Sequence, residues 1–274
     1  AAASDAGSLM TVATFRESGM LAGVIVAAIA PGIFLALGSG GQGYPAFGLF
    51  LGGIALATWS MTRPIWQRAA ITGAPFSLSD LKSAGALRLL FLALINSLPV
   101  AITSTLFLFF VQDRLALPSS AAGPLLIVFF LSAGISIPLW SKVSRRIGPK
   151  TILTIAMPLA IVSFIGAALI APGNWLAFAA VCVGSGAALG ADMVLLPAMF
   201  TVALTRAKLK ASQAYGLWSF AGKLGLALAA FLVLPALENS GFEPGAVNDA
   251  QALSALNISY AIVPCILKLC AFGL

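Results

Sequence analysis

Long apolar segments separated by short polar ones run through the whole chain. A helix needs about 20 apolar residues to cross the hydrocarbon core of a bilayer, and the pattern predicts eight such helices. Runs of this length favour helices over the short alternating strands of a membrane barrel, because a helix satisfies its own backbone hydrogen bonds. We therefore predict an all-α polytopic membrane protein. The predicted spans are 19–37, 46–62, 89–111, 121–140, 151–171, 175–204, 213–236 and 253–274.

The polar segments between these spans alternate in charge. Twelve of the fifteen basic residues lie in every second segment, whereas the remaining connections hold only Arg114. Because Lys and Arg accumulate in cytoplasmic loops, this alternation predicts that both termini are cytoplasmic, and it supports the count of eight spans. We expect an integral protein of a bacterial inner membrane. The basic segments are 1–18, 63–88, 141–150 and 205–212.

Composition supports the membrane class and argues against several kinds of site. The 274 residues are 60% hydrophobic and 8% charged, whereas about 25% of residues are charged in a soluble domain. The net charge of +7 is explained by the cytoplasmic segments rather than by a nucleic-acid surface. There is no histidine, and all three cysteines lie in apolar runs, so we expect no metal site, no cofactor and no enzymatic activity.

The chain is divided by its longest connection, 63–88. Two predicted spans precede it and six follow, and six helices form one half of the transporters built from two six-helix bundles. We expect 1–62 to hold the last two helices of an N-terminal half, 63–88 to be a cytoplasmic linker, and 89–274 to form the C-terminal six-helix bundle. The first residues lack the basic region of a signal peptide and an initiator Met, which leaves open that the chain begins within a longer protein.

The most informative charge is Lys223, near the middle of its span. A lysine at the bilayer centre costs about 2.5–3.5 kcal/mol on insertion scales, so it is expected to face a hydrated cavity or a partner acid. Ser219 lies one turn earlier on the same face and Trp218 lies beside it, which predicts a polar and aromatic lining. Asp192 is also at mid-depth, either as the structural partner of a cation such as Lys223 or as a carboxylate linked to a proton or solute.

Three weaker features accompany these charges. Asn96 begins a polar stripe that could line a pathway, although Ser and Thr also bond to their own helix backbone. Gly186 and Gly190 have the small-xxx-small spacing of close helix packing. Lys268, near the cytoplasmic end of the last span, is interpreted as an anchor whose side chain reaches the membrane surface.

The segment SKVSRRIGPK, residues 141–150, joins two spans tightly. We predict either a charged cytoplasmic gate loop with a sharp turn at Gly148, or a topology signal alone. It resembles in part the G-x-L-x-D-R-x-G-R-R loop found at this place in each half of major facilitator superfamily proteins. The gate residues would be Lys142, Arg145, Arg146 and Lys150.

Three segments resemble the glycoside–pentoside–hexuronide cation symporters, the melibiose permease-like family of that superfamily. SFAGKLGLALAAF (219–231) is similar to the family's eleventh helix, TFRESGMLAG (14–23) to its fifth, and YAIVPCILKL (260–269) to its last. The resemblance covers helices five to twelve and implies a sugar-site role for Arg16. The family's acidic run after the tenth helix is absent from 200–216, and the helices that hold its cation site are not in the chain, so the coupling ion stays open.

We therefore predict a secondary active transporter, coupled to a cation or proton, that moves a small polar solute such as a sugar or glycoside by alternating access. The alternative is a transporter-derived subunit or assembly factor of a larger membrane complex that does not itself transport. The expected partners are the lipid bilayer, the solute and its coupling ion, with no nucleic acid. The predicted cavity residues are Arg16, Asn96, Asp192, Trp218, Ser219 and Lys223.

Overall fold

The described part of the chain consists almost entirely of helices. The computed structural model describes residues 6–36, 43–66, 78–83, 85–207 and 211–274. These ranges contain no strand, and the predicted all-α class is confirmed. The helices are α1 (Ala6–Ala36), α2 (Gly43–Trp66), the short α3 (Leu78–Ser83), α4 (Ala86–Phe109), α5 (Ala122–Ile147), α6 (Pro149–Leu169), α7 (Trp175–Arg206), α8 (Ala211–Glu238), α9 (Ala250–Asn257) and α10 (Val263–Gly273).

Two π-helical turns extend these helices. One, Phe110–Arg114, continues α4, and the other, Ile258–Ile262, joins α9 to α10 in a continuous span. The turns meet where the ring of Phe110 stacks on that of Tyr260, with centroids 3.9 Å apart, and both rings contact Phe178. This aromatic cluster belongs to the largest group of buried apolar residues in the described ranges.

Seven helical stretches of the described chain are long and apolar enough to cross a membrane. They correspond to the second through eighth predicted spans. The first predicted span, 19–37, lies almost wholly within α1, and its crossing of the membrane stays a prediction. The seven stretches are Pro45–Pro64, Ala86–Arg114, Ser119–Ile147, Pro149–Leu169, Trp175–Arg206, Ala214–Glu238 and Ala250–Gly273.

Two of the segments expected to be polar connections are largely helical. α1 begins at Ala6, well before the predicted span, and the described part of 1–18 is therefore helix. The prediction of a loop over 141–150 is wrong, because α5 continues through Ile147 and α6 starts at Pro149. The predicted sharp turn at Gly148 is confirmed, since its φ of +90° lies in a region that glycine adopts readily. Of the basic residues counted above, Arg68, Lys208 and Lys210 lie outside the described ranges.

The chain divides into two compact units. The first is Ala1–Leu21 with Phe76–Leu274, and the second is Ala22–Pro75. In the first unit α7 packs against both α5 and α6, α4 packs against α8, and α10 contacts α4 and α6. All of the side chains discussed below belong to this first unit.

The contact between α5 and α7 is made by small and hydroxyl side chains. A Cβ added at Gly190 would lie 2.6 Å from the carbonyl oxygen of Ala133, so only glycine permits this approach of the two backbones. Across the same interface, Trp140 Nε1 donates to the carbonyl of Ala187 at 2.8 Å and Ser132 Oγ to that of Val183 at 2.7 Å. The predicted packing role of the small-residue spacing is confirmed.

Candidate functional site

A buried ion pair connects α7 to α10 in the interior of the first unit. Lys268 Nζ lies 2.5 Å from Asp192 Oδ2, and the two side chains are only 2% and 7% exposed. The same Nζ donates to Asn96 Oδ1 on α4 at 2.6 Å. Three helices separated widely in sequence thus supply one compact polar cluster, which we call the Asp192–Lys268–Asn96 cluster.

The surroundings explain why the two charges are held together. A lone charge in an apolar interior loses its hydration, and a neighbouring opposite charge together with a hydrogen bond offsets part of that loss. Two of the three ammonium hydrogens of Lys268 are used in this way. The cluster therefore contributes no net charge to the interior of the unit.

A small cavity adjoins the cluster. Asp192 and Lys268 line it, together with the hydroxyl-bearing residues Thr103 and Ser185. The remaining lining is apolar and consists of Val100, Phe129, Ala160, Phe164 and Leu189.

The interpretation of Lys268 as an anchor at the membrane surface is wrong. Its side chain is buried and directed at Asp192, although its position near the end of the last predicted span suggested an easy route to the surface. Asp192 has a cation as its partner, as one of the two interpretations required, but the cation is Lys268 and not Lys223. The signal available in the sequence was that Asp192 needed a partner and that two lysines lay within spans. The sequence does not tell which of their helices faces α7.

Lys223 lies on the exposed side of α8 and makes no hydrogen bond or ion pair with any described residue. Ser219, one turn earlier, is exposed as well. Trp218 turns toward the protein and packs against Phe200, with ring centroids 4.8 Å apart. The predicted polar and aromatic lining is therefore split, with the two polar residues on the outside of the helix and the indole on its packed side.

Arg16 belongs to a second polar cluster, on α1. Its Nε donates to Oε1 of the neighbouring Glu17 at 3.0 Å, and Glu17 is buried whereas half of the arginine side chain is exposed. The guanidinium lies over the ring of Tyr215 on α8, 5.6 Å from its centroid. The hydroxyl of Tyr215 in turn bonds to Thr201 and donates to the carbonyl of Pro197, which joins α7 to α8.

The predicted site residues are therefore not all brought together. Asn96 and Asp192 lie in the buried cluster, Arg16 contacts Tyr215, and Lys223 and Ser219 are exposed on α8. The sequence interpretation missed Lys268 in its buried role, and it missed Tyr215, whose aromatic ring next to an arginine carries no spacing signal. The predicted gate residue Arg145 donates to Thr11 Oγ1 at 3.1 Å, and so links the end of α5 to α1.

The described residues contain no group of three or more His, Cys, Asp or Glu side chains that could hold a metal ion. Cys182 and Cys265 are buried free thiols, and Cys270 is an exposed one.

Comparison with known proteins gives one family match. The family model described as MFS/sugar transport protein matches residues 3–274, which is nearly the whole chain. A search of curated proteins found no match.

Proposed function

The chain belongs to the MFS/sugar transport protein family and is a transporter protein of the major facilitator kind, and from this premise we propose that it works as a secondary active transporter. The solute is a small polar molecule such as a sugar or glycoside, moved by alternating access and coupled to a cation or proton. The observation that carries the proposal is the family match over residues 3–274. The resemblance to the melibiose permease-like family, noted from three segments of the sequence, agrees with it.

The exposed face of α8 is the proposed contact with solute. Transporters of this architecture bind solute between their two halves, near the midplane of the bilayer. A residue that lines such an interface is exposed when one half is considered by itself, as Lys223 and Ser219 are. The ammonium of Lys223 would donate hydrogen bonds to solute hydroxyls or to a carboxylate.

Arg16 and Trp218 are proposed to belong to the same site. The Arg16 guanidinium keeps donors to spare, because it has five N–H groups and the structure uses two of them on Glu17. Trp218 packs against Phe200 on the inner side of α8, and the part of its indole that remains exposed would supply an apolar surface for a sugar ring. Asn96 and Asp192 support the site from within the bundle through their bonds to Lys268.

The organisation predicted from the sequence is part of the proposal. Residues 1–62 would hold the last two helices of an N-terminal half, 63–88 the cytoplasmic linker and 89–274 the C-terminal half. The protein is integral to a membrane, and we propose the bacterial inner membrane with both termini in the cytoplasm. The residues Lys142, Arg145, Arg146 and Lys150 would then form a charged belt around the turn at Gly148 on the cytoplasmic face.

The alternative is a membrane subunit that uses a transporter-derived fold as a scaffold. It is favoured if the eight predicted helices are the whole polypeptide, because a single half with two extra helices does not enclose a cavity between halves. The mass of the intact polypeptide separates the two proposals. A mass for about twelve helices favours transport, and a mass for eight, with a stoichiometric partner copurifying, favours the scaffold.

The transport proposal is tested by uptake into vesicles that contain the full-length protein. The probes are radiolabelled sugars and glycosides, each supplied with an inward gradient of Na⁺ or of protons. We expect accumulation of at least one probe, and we expect Lys223→Ala to abolish it while the amount of protein in the membrane stays unchanged. No uptake of any probe under either gradient would contradict the proposed solute class.

The matched control is Lys82→Ala. Lys82 is an exposed lysine on the short helix α3 and is not one of the proposed site residues, so its loss should leave uptake unchanged. Normal uptake by Lys223→Ala would remove Lys223 from the site. Equal loss of uptake in both variants would show that the effect comes from lost surface charge and not from a solute contact.

A further inference from the structure

One oxygen of the buried ion pair is left without a partner. Oδ2 of Asp192 contacts Lys268, but Oδ1 is buried and has no hydrogen-bond partner among the described residues. A buried carboxylate oxygen in this condition has lost its hydration without replacement, which is unfavourable. Because Asp192 also lines the cavity beside the cluster, a guest in that cavity is placed to supply the missing bond.

The other polar groups around the cavity offer complementary bonds. The hydroxyl of Ser185 donates its only hydrogen to the carbonyl of Val181 at 2.7 Å, and that of Thr103 donates to the carbonyl of Pro99 at 2.9 Å. Both hydroxyl oxygens therefore present only acceptor lone pairs to a guest. The third ammonium hydrogen of Lys268 remains as a donor, since the two hydrogen bonds made by Nζ account for the other two.

The size of the cavity limits the guest. The space open to the centre of a water molecule is about 20 Å³, and one buried water needs about 10–15 Å³ on this measure. A sugar ring is far too large for it. A buried water also needs two to four polar partners, and Asp192, Lys268 and either hydroxyl provide three.

Charge distinguishes a water from a cation of similar size. Asp192 and Lys268 already neutralise each other, so a cation would add an uncompensated charge beside the ammonium of Lys268 in an apolar interior. A water adds no charge and still satisfies the free oxygen.

We propose that the cavity beside Asp192 is a binding site for a single water molecule. It donates to Oδ1 of Asp192 and to the hydroxyl of Ser185 or Thr103, and it accepts from Lys268. The water completes the Asp192–Lys268–Asn96 cluster that joins α4, α7 and α10. The site lies within the bundle, and its occupancy does not depend on the identity of any transported solute.

The test is radiolytic footprinting of the full-length protein, read by mass spectrometry. Hydroxyl radicals formed from a bound water oxidise the side chains next to it. The reporter is Phe164, which lines the cavity and is 7% exposed, and its matched control is Phe107, which is 8% exposed and does not line the cavity. We expect oxidation at Phe164 clearly above that at Phe107. Equal, low oxidation at the two rings would overturn the proposal.

Two further measurements identify the guest. The first replaces both charges, in the double variant Asp192→Leu with Lys268→Met. It should strongly reduce the excess oxidation at Phe164, because the water loses its bonds to the carboxylate and the ammonium and keeps only the two hydroxyl oxygens. Unchanged excess oxidation in a folded double variant would contradict the proposal. The second compares buffers of NaCl, LiCl and choline chloride. Labelling that is independent of the cation supports a water, whereas loss of labelling in Na⁺ or Li⁺ would show that a cation occupies the site. If the double variant does not fold, the comparison of Phe164 with Phe107 in the unmodified protein still decides.

Discussion

Replacement of Lys268 by methionine should destabilise the protein strongly. Methionine has about the length of the lysine stem and no charge, so the substitution removes the ammonium and leaves the packing largely intact. Asp192 then stays buried at 7% exposure without its counter-ion, and Asn96 loses its donor. Removal of one partner from a buried ion pair costs about 3–5 kcal/mol, because the remaining charge is uncompensated.

A second substitution tests whether this loss comes from the uncompensated charge. In the double variant Asp192→Leu with Lys268→Met both charges are gone, and apolar replacement of a whole buried pair is often neutral or stabilising. Most of the stability lost in the single variant should therefore return. The matched control is Lys223→Met, the same change at an exposed lysine on α8, where surface substitutions usually stay within about 0.5 kcal/mol.

The assay is thermal unfolding in detergent, followed with a dye that fluoresces on reaction with a thiol. Cys182 and Cys265 are buried and become reactive only when the helices separate, whereas Cys270 is exposed and is first replaced by serine to lower the background. For a chain of this size 1 kcal/mol shifts Tm by about 2–4 °C, so Lys268→Met should lower it by about 6–20 °C. A Tm for Lys268→Met within a degree of that for Lys223→Met would refute the assignment of a buried ion pair.

Two smaller predictions concern helix packing. Gly190→Ala should lower the free energy of unfolding by about 1–3 kcal/mol, because the added methyl group overpacks α7 against the carbonyl of Ala133. The control is Gly134→Ala on α5, where a Cβ meets no atom within 4 Å, and this change should be neutral or stabilising by up to about 1 kcal/mol. Equal Tm values for the two variants would contradict the close contact. Tyr215→Phe removes the hydroxyl bond to the carbonyl of Pro197 and should cost about 0.5–1.5 kcal/mol in the same assay, and an unchanged Tm would show that this bond does not hold α7 to α8.

The fold was predictable because each of its signals is local. The apolar runs predicted the seven described spans, since the length of a run and the thickness of a bilayer are compared without knowledge of neighbouring helices. The turn at Gly148 and the packing at Gly190 were likewise predictable from residue type and spacing. The error at 141–150 has the same origin. Hydropathy reports where the apolar run ends, but α5 continues as a charged helix for seven residues beyond the predicted end at 140.

The pairing of charges was not predictable, because it depends on how helices rotate about their axes. Asp192 and Lys268 are 76 positions apart in sequence, and Asn96 and Lys268 are 172 apart. A hydropathy pattern sets neither the rotation nor the neighbours of a helix in which almost every residue is apolar. Because snorkelling to the membrane surface explained the position of Lys268, its pairing with Asp192 was missed.

The two lysines within spans, Lys268 and Lys223, have different surroundings, and this indicates different roles. Lys268 has its hydrogen bonds met by Asn96 and Asp192, so the protein itself accounts for its charge. Lys223 has no partner among the described residues and lies on an exposed face of an apolar helix. A charge at membrane depth persists where it faces a bundle interior, a partner or a water-filled cavity. Because the described part of the protein supplies Lys223 with no partner, the compensating group must come from water, from a solute or from a part of the protein that is not described. This requirement is what makes Lys223, and not the better-packed Lys268, the residue for which the uptake experiment is designed.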